Sequence, residues 1–412
     1  MTDKPEANEK PHILYGVPPR EGHMRPALQI SKHLRDNGFN VTVLGTKKWQ
    51  ATIQAAGVYF SPILGLWNTL DDAVRWPDIA QAPSPAARLA ASLDGGFVSL
   101  LPSGLESIRF ALAAIPRRQP GCHIIVLSDT CFSGTLARRL QTDLPEGFEE
   151  GEEIRTIGIG VVLSFWTSPE RPPWGSGLPL DHSEKGTKRN MQAIQQAWNA
   201  ATEERARWVL AMMSCAKDFA GTLPIKPLPP NLFYPSWFSE ILPNSATLHP
   251  STLHKRRIVF VAEGTEVLDY WELVIPTMKA LACQDYVLVV ACLCVAGATL
   301  ETHSFDDGKI PSNARVVDYF HMKQFFANGV PMVQAGNVFD KPDIGRRVEW
   351  SGLGVYIEES PPTVKGVHLA ITNVLRDERY RKQAQELKKE AGKLDPLKTV
   401  TDEILLLTSL TG

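Results

Sequence analysis

Short β-branched apolar runs recur along this chain, each followed by a stretch with apolar residues at helical spacing, and that alternation restricts the fold more than any other feature. Residues 12–17 (HILYGV) form the first run. Ala27, Ile30, Ser31 and Leu34 then repeat three and four apart, and Gly38 stands where a helix ends in the left-handed conformation. Residues 39–44 (FNVTVL) read as a strand, the stretch from Lys47 as a helix, and Gly57 as its end. Residues 123–127 and 156–163 repeat the apolar pattern. Continuous apolar strands alternating with helices predict an open parallel sheet covered on both faces.

The pattern is interrupted once and then resumes. Residues 221–250 hold seven prolines in thirty positions, which disfavours regular structure and predicts a linker. Beyond it, residues 257–262 (RIVFVA) predict a strand and Glu263-Gly264-Thr265 a tight turn. Residues 267–282 predict a helix that Pro276 would kink. Residues 286–292, 314–318, 330–334 and 354–357 predict further strands, and Ser360-Pro361 predicts a helix start with serine as its cap. The expected organisation is an N-terminal domain over 1–220, a proline-rich linker over 221–255, a C-terminal domain over 256–390 and a helical tail over 391–412. A length of 412 residues suits two domains of about 200 residues each. Two doubly wound sheets predict a ligand cleft at the carboxyl ends of their strands.

Composition removes several function classes. A formal net charge of −2 with no basic stripe argues against nucleic-acid binding. The acidic run over 146–153 reads as a solvated loop or an interaction patch. Six cysteines stand singly at 122, 131, 215, 283, 292 and 294 with no CxxC, so a reducing cytosol is expected and a structural metal is not. The polar N-terminus lacks the apolar stretch of a signal peptide. The most apolar run, residues 286–298, is too short at thirteen residues to span a bilayer. A soluble cytoplasmic protein is the expectation.

Two residues carry the clearest chemistry. His23 lies in Glu21-Gly22-His23-Met24-Arg25-Pro26, after the first strand and at or just before a helix start. Asp129 ends the run VLSD, so a parallel sheet would bring its carboxylate to the same edge. A carboxylate accepting from one ring nitrogen fixes the histidine tautomer and stabilises the imidazolium formed when the other nitrogen takes a proton. Read alone, His23 is more often a structural or solvent-exposed histidine, and Asp129 is equally a helix cap in the turn SDTCFSGT.

Four segments, in order along nearly the whole chain, bear a family resemblance. They are Gly22-His23-x-x-Pro26, the turn SPERPPWGSGLP at 168–179, Val261-x-x-Gly264-Thr265, and GVPMVQAGNVFDKPDIGRRVEWSGLGV at 329–355. Together they resemble family-1-type (UDP-glycosyltransferase-like) glycosyltransferases, most closely fungal secondary-metabolite enzymes, and are similar also to bacterial macrolide glycosyltransferases. The resemblance implies the α/β fold called GT-B, in which two Rossmann-like doubly wound domains face each other across a cleft. The first would hold the acceptor and the second the nucleotide sugar. It implies an inverting transfer with His23 as general base oriented by Asp129. Gly264 and Thr265 would approach the donor phosphates, and Asn337, Asp340 and Lys341 would meet the donor sugar; an Asp-Lys-Pro turn is otherwise only a surface turn. Trp67, Trp76, Phe97 and Trp166 are candidates for lining the acceptor pocket, although core packing is the commoner fate of such side chains. No cofactor and no metal are expected. The partners are a nucleotide-diphosphate sugar, UDP-linked by default, and a small, mostly apolar acceptor.

One segment departs from the family's pattern. The family places a strand, a glycine-rich xxGGxG turn and the start of a helix before GVPMV, whereas here only residues 321–328 separate the strand ending near Phe320 from Gly329. Parallel neighbours need a crossover of about a dozen residues or more, so this junction is too short for a strand and helix. Its amides would have stabilised the leaving diphosphate. Losing an interior strand would also expose core surface on both sides. A non-catalytic GT-B-like binding protein, or a shortened splice form that has lost donor binding, is therefore the second reading. A dinucleotide-dependent oxidoreductase is a third, weakened because the first turn offers GVPPREGH in place of GxGxxG.

Overall fold

The computed structural model describes residues 10–65, 101–118, 122–132, 154–160, 172, 176–179, 181–200, 256–264, 269–294, 297–318, 329–337 and 340–409. The chain divides into two compact units, Met1–Trp174, Leu180–Lys226 and Pro396–Gly412 forming the first and Gly175–Pro179 with Pro227–Asp395 the second. The linker expected over 221–255 lies outside the described residues.

In the first unit, β1 (His12–Gly16), β2 (Val41–Gly45), β3 (Tyr59–Pro62), β4 (Ile124–Asp129) and β5 (Arg155–Ile159) form one parallel sheet in the order β3-β2-β1-β4-β5. The helices are α1 (Glu21–Asp36), α2 (Lys47–Ala55), α3 (Leu101–Arg118) and α4 (Glu184–Ala200). Strand β1 is paired on both sides, and Ile13, Leu14 and Tyr15 are wholly buried. This follows from its unbroken apolar sequence, since a strand covered on both faces has no polar alternation. One face packs Leu14, Leu44 and Val126 against Ile108, Leu112 and Ile115 of α3. The spacing read from the sequence for α1 is the spacing it buries: Met24, Ala27, Ile30, Ser31 and Leu34 are all inside. Gly16 is required by a close approach, because a Cβ there would stand 2.7 Å from the Phe132 ring.

The second unit carries β6 (Arg257–Ala262), α5 (Val274–Leu281), β7 (Val287–Cys292), β8 (Ala314–Val317), β9 (Met332–Ala335), α6 (Lys341–Trp350), β10 (Gly354–Ile357), α7 (Val364–Arg376) and α8 (Glu378–Ala391). The last helix, α9 (Pro396–Ser409), groups with the first unit, where His33 Nε2 lies 3.2 Å from Thr401 Oγ1 and Arg155 donates to the Leu407 carbonyl. No described helix is long and apolar enough to cross a membrane.

Two helix starts differ from the expectation. Helix α5 begins at Val274, not near 267, and this places Pro276 in its first turn, where a missing N–H costs nothing. Helix α7 begins at Val364, and Thr363 is its cap in place of Ser360, its Oγ1 accepting from Gly366 N at 3.1 Å.

The strands of the second unit form two parallel sheets, β6-β7-β8 and β9-β10. They share one hydrophobic core, in which Val261, Val289 and Ala291 join Ala335 and Ile357 through Ile275 and Met278 of α5 and Val367 and Ile371 of α7. Among the described residues, β6 is paired on one side only and so is β9. The effect on burial is direct. Strand β7 is buried throughout, whereas β6 is exposed or half-buried at every position but Val261, and Ile258 is 46% exposed. The short junction, residues 319–328, lies outside the described residues.

An Ile258→Ala variant is expected to lose less than about 1 kcal/mol of unfolding free energy, while Ile275→Ala, buried in the shared core, loses about 2–5 kcal/mol. Chemical denaturation of the two variants against the parent chain measures this. Equal losses would mean that something covers the outer face of β6.

Candidate active site

The carboxyl edge of the first sheet is built by the ends of β1 and β4. Their ladder runs level to its last pair, Gly16 with Ser128, so the chain leaves β1 beside Asp129. It then turns through Pro18 and Pro19, held by Trp49 Nε1 donating to the Pro19 carbonyl at 2.9 Å, and enters α1. His23 sits in the first turn of that helix, its backbone N–H bonded to the Arg20 carbonyl. Its Nδ1 lies 2.8 Å from Asp129 Oδ2, with the histidine side chain 16% exposed and the carboxylate fully buried.

Both oxygens of that carboxylate are engaged. Oδ1 accepts from the Cys131 backbone N–H at 2.8 Å, which fixes the plane of the group. An ionised carboxylate only accepts, so in a neutral ring bonded to it Nδ1 is the nitrogen that carries the proton and Nε2 the one with the lone pair. The neighbouring Tyr15 phenol is wholly buried. Burial first, and the Asp129 charge second, hold its ionisation well above the ordinary range, so it stays neutral. His12 supplies the contrast: it is buried, bonded through Nε2 to Thr42 Oγ1 at 2.8 Å and stacked on Tyr59, a histidine used for packing. Among the described residues, one group of three metal-capable side chains has its ligand atoms close together: His23, Asp129 and Cys131.

In the second unit, the carboxyl edge gathers the donor-side candidates. Gly264 follows β6 with φ +91 and open space where a Cβ would be, so a ligand could approach its backbone closely. Thr265 lies outside the described residues. Asn337 and Asp340 are half-buried in the turn after β9, with Asp340 preceding α6. Lys341 lies over Gly336, where a Cβ would meet its Cδ at 2.7 Å, and pairs with Glu272 at 3.4 Å. Of the turn SPERPPWGSGLP, residues 176–179 are described. Gly177 docks on α6, its N–H donating to Asp343 at 2.9 Å and its carbonyl accepting from Arg346 Nε at 3.1 Å. The acceptor-pocket candidates Trp67, Trp76, Phe97 and Trp166 all lie outside the described residues.

Sequence reasoning passed over Glu263. Its Oε1 accepts from the backbone N–H groups of Leu273 and Val274 at 2.6 and 2.8 Å, so it satisfies the first amides of α5 and explains why the helix starts there. Only 7% exposed, it has its ionisation pushed up to about 7 by burial, against the lowering effects of those two amides and of Lys341. The available signal was a carboxylate sharing a tight turn with glycine beside an apolar strand.

Solved structures share this architecture. The calicheamicin glycosyltransferase CalG4 superposes with a TM-score of 0.58 at 15% identity, covering 97% of this chain and 98% of that one. The spinosyn rhamnosyltransferase SpnG gives 0.55 at 16% identity, over 95% and 99%. The fold is GT-B. No known family profile matches the chain. In sequence it is 25% identical to UDP-glucosyltransferase 1 of Beauveria bassiana over 94% of this chain and 93% of the relative. It is 26% identical to UDP-glycosyltransferase 2 of Phaeomoniella chlamydospora over 96% and 95%. In sequence the chain is thus similar, over nearly its full length, to curated UDP-glycosyltransferases. The two alignments run over 449 and 461 positions while using 94% and 96% of 412 residues, so each sets about sixty positions opposite gaps in this chain.

Glu263 makes stability depend on pH. Its folded pKa lies above the unfolded value of 4.5, so its favourable contribution is complete below pH 4.5 and is lost as pH rises through about 7. The loss is on the order of 3 kcal/mol. Glu263→Gln is expected to remove this fall between pH 5 and 8, read from denaturation midpoints at the two pH values. A variant that keeps the parent's pH dependence would rule the assignment out.

Proposed function

We propose that this chain is built to move a sugar from a nucleotide-diphosphate donor, UDP-linked as the names of its fungal relatives suggest, to a hydroxyl of a small, mostly apolar secondary metabolite. The observation that carries this reading is the His23–Asp129 pair: a ring whose Nδ1 is bonded to a buried carboxylate and whose Nε2 is left to act. Nε2 takes the proton of the acceptor hydroxyl as its oxygen attacks the anomeric carbon. The bond from that carbon to the diphosphate breaks on the opposite face, so the centre inverts. Asp129 holds the tautomer and stabilises the imidazolium while it exists. Gly264, Thr265, Asn337, Asp340 and Lys341 serve the donor, the first two at its phosphates and the others at its sugar. The step uses no cofactor and no metal.

A second reading has its own support. Among the described residues β6 is paired on one side only, and the carboxyl edge of that unit carries Glu263, Glu272, Asp318 and Asp340. The first amides of α5, which a diphosphate would otherwise meet, are already taken by Glu263. In this reading the chain keeps acceptor binding and has lost the donor.

Two experiments separate the readings. His23→Ala is expected to lower transfer from UDP-glucose to a hydroxylated aromatic acceptor by about 100 to 10,000-fold, measured by product chromatography. Near-normal transfer by the variant would remove His23 from the mechanism. Calorimetric titration of the parent chain with UDP decides the rest: measurable affinity favours the transferase, and acceptor binding without any UDP binding favours the binding protein.

A further inference from the structure

The turn that fixes Asp129 also returns a thiol to the His23–Asp129 pair. Asp129 ends β4, and the Cys131 N–H folds back onto Oδ1 at 2.8 Å. As a result a ring nitrogen of His23, a carboxylate oxygen of Asp129 and Cys131 Sγ all lie within 4.8 Å of one another. Cys131 is 1% exposed and in no disulfide, and its side chain has no part in the proton transfer described above. We propose that these three side chains form an inhibitory binding site for zinc.

The donor set selects the ion. Imidazole nitrogen, thiolate sulfur and carboxylate oxygen are the ligands of tetrahedral zinc, whereas calcium and magnesium require an oxygen shell. Zinc bonds of about 2.0–2.3 Å set tetrahedral ligand atoms roughly 3.3–3.6 Å apart. The His23–Asp129 separation of 2.8 Å would open by about half an ångström, and the thiol, within 4.8 Å, would close by about one. The His23 side chain is the exposed member of the three at 16%, and a fourth position would fall to water.

Binding would act on the proton that matters. Zinc at Nδ1 replaces the hydrogen bond to Asp129, so the single ring proton moves to Nε2, and the Cys131 thiol releases its proton to solvent. With its proton on Nε2 the ring can donate but no longer accept, and general-base action stops. Zinc binding stands on the geometry alone; the inhibition rests on the proposed role of His23.

The test uses the full chain in a phosphine-reduced buffer, with zinc alone and cobalt(II) alone as probes. Other histidines and cysteines will bind some metal, so the comparison of the parent with Cys131→Ala, Cys131→Ser and His23→Gln decides. The parent is expected to bind one zinc at least tenfold more tightly than each variant, with about one proton released per metal. Its cobalt form should show a thiolate-to-metal charge-transfer band that both Cys131 variants lack. His23→Gln, at a more exposed position, guards against misfolding of the buried variants. Unchanged affinity and an unchanged cobalt spectrum in the Cys131 variants would overturn the site. Transfer by the parent should fall with zinc and return with a chelator, and transfer by Cys131→Ala should be insensitive to it. A chain that binds zinc through Cys131 yet transfers at full rate keeps the metal site and removes His23 as the base.

Discussion

The parallel ladder between β1 and β4 is the constraint on which the rest of the first unit depends. His23 and Asp129 are 106 positions apart in sequence, and a 2.8 Å bond between them needs both backbones placed to within a fraction of an ångström. Two neighbouring strands, buried on both faces and paired from His12 with Ile124 to Gly16 with Ser128, supply that placement. Phe132 then packs so closely on Gly16 that no side chain fits there, which ties the chain leaving β4 to the chain leaving β1. The rigidity is in the sheet: Asp129 is the last residue of β4, and His23 stands in the first turn of the helix that follows β1.

The second unit obeys the same packing rule with a different outcome. Its two sheets are held to one core by helices α5 and α7, so apolar burial persists where ladder hydrogen bonds do not. Hydrophobic contact is non-directional and tolerates such an interruption, whereas backbone pairing is directional, and among the described residues β6 has a partner on one side only and Ile258 is 46% exposed. At the carboxyl edge Glu263 fills the amides that open α5. A buried carboxylate held by two amides is a different electrostatic starting point for a diphosphate than an empty helix terminus, and the charge of Lys341 is shared with Glu272.

Much of this was legible in the residues because the signals are local. The strand over residues 257–262 and that over 354–357 coincide with β6 and β10, since β-branched runs bounded by turn formers leave little choice. The buried stripe of α1 could be read from Ala27, Ile30, Ser31 and Leu34. Helix starts were less legible. Pro276 reads as a kink within a longer helix until Glu263 is seen capping α5 at Val274, and Ser360 reads as a cap until Thr363 is seen bonding Gly366. Each depends on which side-chain oxygen reaches the free amides, and several oxygens near a helix start qualify on sequence alone. Cys131 was one of six scattered cysteines with no motif spacing, so its place beside His23 was invisible before the strand order was known.

The sequence by itself determined the alternation of strands and helices and the residue types at each strand end, because these follow from periodicity and backbone preference within short windows. Only the tertiary structure decided that β1 pairs with β4, that His23 meets Asp129 and Cys131, that the strands of the second unit form two sheets over one core, and that α9 joins the first unit. These are contacts between distant segments, settled by which buried surfaces fit together, and local pattern does not encode that choice.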